Sequence, residues 1–216
     1  MTGVQTCAFR SGIRGADNES VKKAWSIIKP LEPIEFTSVF ETNQATDAHY
    51  LLKDIREVCV FDCLKLRGRV SGKPEWIQGG HVIFELSDDS GRIDCGVYKP
   101  TGYLRKAASK LLEGDVVEVF GGVGNHSNTV NVEKMRIVSL VEDMKERPPP
   151  CCGRNMTSAG SGKGYKCRTC SRKISHGKLE VVDRDLSEGW YEASAGARRH
   201  LCRPLVLDGL EVNTDS

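Results

Sequence analysis

The chain lacks any run of about 18 continuous apolar residues, which a membrane-spanning helix requires, and no charged, apolar, small-residue secretory signature opens it. A membrane protein and a secreted one are both disfavoured, and a cytoplasmic location is expected. An excess of one charge is missing too: 31 Lys and Arg face 29 Asp and Glu, a net charge of +2. Whole-chain electrostatics therefore gives no sign of a nucleic-acid partner, and any basic surface must be local. No Ser-His-Asp set, no H-E-x-x-H and no deaminase pairing of H-x-E with P-C-x-x-C is present. SAGSGKGYKC has the glycines of a phosphate loop without the G-x-x-x-x-G-K-[ST] spacing, and a cysteine knuckle rather than a helix follows it. The chain shows no complete catalytic centre.

Positive charge and cysteine are concentrated at one end. Residues 145–204 hold thirteen Lys and Arg against six Asp and Glu, and the same segment contains the cysteine cluster. Nine cysteines in 216 residues are too unevenly spaced for a disulfide scaffold. Reduced thiols with one metal site fit better, leaving Cys59, Cys63, Cys95 and Cys202 as packing residues. The opening MTGVQTCAFR resembles the translated read-through of a sequencing adapter, so residues 1–10, with Cys7, are set aside. The natural protein is expected to extend upstream of Ser11.

Three segments follow. In residues 11–60, the Gly-rich SGIRG precedes a helical pattern from Ser20, a possible cap, through Val21, Ala24, Trp25, Ile27 and Ile28 to the stop at Pro30. EFTSVFETN alternates as a half-buried strand does, and the polar turn chemistry of TNQATDAHY comes next. One helix and one strand make half of a small α+β domain. In residues 61–144, CLKLRGRVSG, GGHVIFELSD and GRIDCGVYKP read as strands, TGYLRKAASKLL as a helix, and DVVEVFGGVG and TVNVEKMRIVSL as two more strands. Three strands, a helix and two strands is the order of an OB-fold barrel. Such barrels bind oligonucleotides across strands two and three, which makes His81, Phe84, Tyr98, Lys99 and Arg105 candidate RNA-facing groups. Inward packing is the stronger expectation for Phe84.

KERPPP, residues 145–150, reads as an extended, proline-stiffened linker at a domain boundary. Beyond it Cys167 and Cys170 form a C-x-x-C knuckle, whereas Cys151 and Cys152 are adjacent, with Pro149 where a regular knuckle has its first cysteine. Fourteen residues between Cys152 and Cys167 suit the hairpin joining two knuckles. A structural zinc ribbon over 151–180 is expected, with Cys152, Cys167 and Cys170 as ligands and either Cys151 or His176 completing the set. Arg154, Lys163, Lys166, Arg168, Arg172 and Lys173 would give the ribbon a cationic face, and Tyr165 could stack on a base. In the tail, 181–216, Arg198 and Arg199 suit phosphate contact.

SGIRG, TNQATDAHY, GGHVIFELSDDSGRIDCGVYKPT, MTSAGSGKGYKCRTC and ARRHLCRPL together resemble one family. It is the archaeal ATP-dependent ligases that join agmatine to the wobble cytidine of an isoleucine tRNA, the tRNA 2-agmatinylcytidine synthetases. The resemblance implies a mixed α+β and β chain: a partial ferredoxin-like segment, an OB-fold barrel and a C-terminal zinc ribbon. It implies tRNA and agmatine as partners, no protein partner, and ATP and Mg²⁺ bound only through a kinase-like domain further upstream, so that this portion alone is inactive. Asn43, Gln44, Thr46, Asp47 and His49 become candidates for the agmatine site, where the Asp47 carboxylate could hold a guanidinium. A free-standing OB-fold and zinc-ribbon nucleic-acid-binding protein is the alternative.

Overall fold

The computed structural model describes residues 13–125 and 129–214; the opening decapeptide and Cys7 lie outside them. The chain divides into two compact units, residues 1–43 and 44–216.

In the first unit α1 spans Asn18–Ile27 and is capped by Asp17. Ser20, expected to cap, is instead the residue capped: its backbone N–H and its hydroxyl donate to the Asp17 carboxylate at 2.7 and 2.8 Å. The backbone donation, with the hydroxyl's, holds the Asp17 carboxyl below its ordinary value. Ile28 is already extended, two residues before Pro30. The strand expected over EFTSVFETN does not form, and Phe36 and Phe40 are each 79% exposed. Alternation makes a strand only where a neighbour accepts its ladder bonds and a core takes its apolar face. Among the described residues of this unit there is no second strand.

The second unit is built on a barrel. Its strands are β1 (Leu51–Leu52), β2 (Cys63–Val70), β3 (Glu75–Ile77), β4 (His81–Ser87), β5 (Arg92–Val97), β6 (Val116–Val123) and β7 (Thr129–Ser139), with α2 (Tyr103–Ala108) between β5 and β6. Neighbours run β2-β6-β7-β5-β4, and β4 returns to β2 through Arg69↔Ser87 and Val70↔Leu86, closing five strands on themselves. β5 and β7 are parallel and the other barrel neighbours antiparallel. This is the OB-fold order expected from the sequence. Period-two alternation sends Leu64, Leu66, Val82, Leu86, Ile93, Cys95, Val97, Val117 and Val119 inward, and Leu104, Ala107 and Ala108 of α2 join the same core. Each such Leu or Val stabilises the fold by about 1.5–3 kcal/mol relative to exposure. Phe84 is 2% exposed, a core residue that cannot stack on a base.

The segment 145–150 is extended, but its first residues form a ladder. β8 (Asp143–Arg147) pairs with β14 (Lys178–Val182) up to Arg147↔Lys178, where the prolines, having no N–H to donate, end it. The ribbon follows: β9 (Pro150–Cys151) with β10 (Arg154–Asn155), then β11 (Thr157–Ser158), β12 (Tyr165–Lys166) and β13 (Lys173–Ile174) in one small sheet. After β14 the chain returns to the barrel, and β15 (Gly189–Glu192) adds antiparallel to β7. Tyr191 of β15 is buried, its hydroxyl donating to the Ser187 carbonyl at 2.6 Å.

Candidate metal centre and nucleic-acid interface

Two turns face each other in the ribbon. In the β9–β10 turn Cys152 and Gly153 both have positive φ, 48° and 76°. This left-handed pair replaces the usual spacer of a knuckle: it turns the chain sharply enough for two adjacent thiols to reach one point. In the second turn the Cys167 N–H donates to the Arg172 carbonyl at 2.8 Å and the Thr169 N–H to the Cys167 sulfur at 3.4 Å. The four sulfurs of Cys151, Cys152, Cys167 and Cys170 all lie within 4.8 Å of one another. Cys151 is 3.8 Å from Cys152 and 3.6 Å from Cys170. A tetrahedral zinc with Zn–S bonds of about 2.3 Å sets its sulfurs about 3.8 Å apart, so the set fits. Backbone N–H groups of Cys170 and Thr169 pull the Cys167 thiol down to about 6, favouring the thiolate that a metal needs. His176 is exposed and outside the cluster, so Cys151 completes the ligand set. Four thiolates leave no open position, which makes the zinc structural.

Around this centre Arg154, Lys163, Lys166 and Arg168 are exposed, as are Arg172 and Lys173, while Tyr165 is half-buried against Gly177. On the barrel, the His81 Nδ1 accepts the Lys99 backbone N–H at 3.0 Å, and its ring meets Tyr98 edge-on at 5.1 Å. The Tyr98 ring lies flat over Gly96, where a Cβ would come within 2.7 Å of it. The Lys99 side chain is exposed. Arg105 projects from α2 towards Trp76, its guanidinium 5.7 Å from the ring centroid.

The agmatine candidates Gln44, Thr46, Asp47 and His49 belong to the barrel unit, whereas Asn43 closes the first unit. Their loop is tied to the tail. The N–H groups of Ala45 and Asp47 donate to the carbonyls of His200 and Leu201, at 2.9 and 3.2 Å. The Asp47 carboxylate accepts from Lys134 Nζ at 2.5 Å and from the Arg203 N–H at 2.7 Å. Asp47 is therefore occupied by the protein's own cation. Lys134 is 1% exposed and also donates to the Arg203 carbonyl, at 2.8 Å. Next to it the Tyr50 hydroxyl donates to Glu133 at 2.7 Å, which also pairs with Arg199 at 3.1 Å. Burial pushes the Tyr50 hydroxyl up, and the neighbouring Cys202 and Glu133 reinforce it. His49 stacks on Tyr50 at 3.9 Å with its Nδ1 buried and unpaired. Arg198 is held by Glu192 at 2.6 Å rather than standing free for phosphate, whereas Arg199 remains 60% exposed.

Comparison with known proteins matches two family models. Residues 64–138 match an OB-fold nucleic acid binding domain, and residues 148–186 match the TiaS C-terminal zinc ribbon domain. The chain is 39% identical over 208 residues to the isoleucine-tRNA 2-agmatinylcytidine synthetase TiaS of Archaeoglobus fulgidus, covering 95% of this chain and 49% of that protein. It is 38% identical to the protein of the same name from Methanocaldococcus jannaschii, covering 93% and 48%. The chain belongs to the TiaS family. It spans about half the length of the curated TiaS relatives it matches. Among solved structures, the complex of TiaS with its isoleucine tRNA and ATP superposes with a TM-score of 0.71 at 39% identity, covering 92% of this chain and 46% of that one. The complex of TiaS with the same tRNA, AMPCPP and agmatine gives 0.69 at 37%, covering 92% and 46%.

Two features of this TiaS relative escape sequence reasoning. Trp76, between the first two barrel strands, carries no periodic signal; an exposed indole in a polar hairpin is visible only once the hairpin is. Lys134 reads as one solvated charge in an alternating strand, yet it joins two motifs more than 150 residues apart.

Proposed function

We propose that the chain is the tRNA-binding and agmatine-site portion of an ATP-dependent ligase that attaches agmatine to the wobble cytidine of an isoleucine tRNA in the cytoplasm. One observation carries the reading: 92% of the chain superposes, at 39% identity, on the solved complex of TiaS with an isoleucine tRNA and ATP. The boundaries 11–60, 61–144, 145–150, 151–180 and 181–216 divide the labour. His81, Tyr98, Lys99 and Arg105 of the barrel meet RNA, joined by Arg154, Lys163, Tyr165, Lys166 and Arg168 of the zinc-held ribbon and by Arg199 of the tail. Arg198 serves through Glu192, holding the tail in place. Asn43, Gln44, Thr46 and His49 face agmatine, and Asp47 fixes that loop through Lys134. ATP and Mg²⁺ are engaged by the part of the ligase outside these residues, so this chain alone forms no agmatinylated product.

The test is competition. A transcript of the isoleucine tRNA should displace labelled tRNA from the zinc-loaded chain far better than single-stranded DNA of equal length, both losing affinity as salt rises. Equal affinity for the two would replace this reading with that of a free-standing single-strand binder.

A further inference from the structure

Trp76 lies in β3, opposite Val82 of β4, on the outside of the barrel, and its side chain is 56% exposed. Gly79 and Gly80, with φ of 88° and 76°, turn the chain between the two strands. The Arg105 guanidinium stands 5.7 Å from the indole centroid. Its Nε and Nη1 are shielded from solvent and have no hydrogen-bond partner among the described residues. Both halves of this arrangement are unfinished. Buried guanidinium donors left unpaired cost free energy, and a large indole facing water gains nothing from burial.

Each half selects a ligand chemistry. An indole polarised by a cation and still open to solvent favours a flat π-system. Charged donors beside it favour an anion attached to that π-system. A nucleobase carrying its own phosphate has both. His81 stands opposite Ile77, the residue next to Trp76, and with Tyr98 and Lys99 it extends the same surface.

We propose that Trp76 and Arg105 form a single-nucleotide subsite, in which Trp76 stacks on an unpaired base of the bound tRNA and Arg105 donates to that nucleotide's phosphate. The subsite rests on the RNA-binding reading above and adds to it the residue that takes the base. A small shift of the indole on stacking frees the two guanidinium donors for the phosphate.

The test uses the zinc-loaded chain in a Trp25→Phe, Trp190→Phe background, which leaves Trp76 as its sole indole. A transcript of the isoleucine tRNA should quench its fluorescence, and a fully paired blunt RNA duplex should not. In the otherwise unaltered chain, Trp76→Ala should weaken tRNA binding about tenfold, with Trp76→Phe restoring most of it. Arg105→Ala should lower the salt slope of binding by about one. Circular dichroism of each variant separates a local effect on binding from loss of fold. If tRNA binds but Trp76→Ala stays within about twofold of the parent and the indole is not quenched, the subsite is overturned while the RNA reading stands. That outcome would assign Trp76 to a protein contact. If the parent chain binds no tRNA, both fall.

Discussion

Asp115 has no exposed surface, and its burial is compensated in full. Arg184 grips both carboxylate oxygens at 2.7 Å, and the N–H groups of Leu112 and Val141 donate to it at 2.8 and 2.9 Å. Arg184 also donates to the Val141 and Lys110 carbonyls, each at 3.0 Å. One guanidinium thus pins the chain leaving the ribbon onto the barrel. Removing it would strand a buried charge, so Arg184→Ala should cost about 3–5 kcal/mol in urea denaturation. Arg184→Lys should recover only part, because an ammonium cannot reproduce the fork. Neither residue stands out in the sequence, where Asp115 reads as an ordinary turn carboxylate. Asp47 shows the same limit: residue chemistry correctly suggested that it holds a cation, but that cation is Lys134, 87 positions away. Partnership across such distances leaves no local trace.

Elements were legible where their pattern was self-sufficient. The five barrel strands and α2 could be read because period two and period 3.6 follow directly from which side chains enter the core. EFTSVFETN carried the same alternation and failed, since a strand also needs a partner. β15 was missed for the opposite reason: four residues have little periodicity, and their strand exists because β7 offers an edge. The upstream knuckle fell between these cases. Its spacing looked irregular because spacing rules assume an ordinary turn, whereas left-handed Cys152 brings adjacent thiols together. Cys151→Ser should therefore lower zinc affinity sharply in a chelator competition, Cys59→Ser should leave it unchanged, and His176→Ala should do the same. A loss with His176→Ala would transfer the fourth position to the imidazole.

At the scale of the molecule, cohesion is unevenly shared. The barrel buries side chains from all five of its strands and from α2, whereas within residues 148–186 the buried apolar side chains are Met156, Cys167 and Leu186. So small a core does not hold a fold without its metal. The ribbon is nonetheless connected at both ends, through the β8–β14 ladder and the Arg184–Asp115 pair. Chelation should therefore melt the ribbon and leave the barrel's thermal transition in place, seen by circular dichroism as one of two steps disappearing. Binding should change with it. Once Arg154, Lys163, Lys166 and Arg168 are no longer held on one surface, the slope of log affinity against log salt should fall by roughly 0.7–0.9 for each phosphate they cease to neutralise. Trp76 stacking, which belongs to the barrel, should persist, leaving a weaker and less salt-sensitive complex. Collapse of the barrel on chelation would show instead that the metal supports the whole unit.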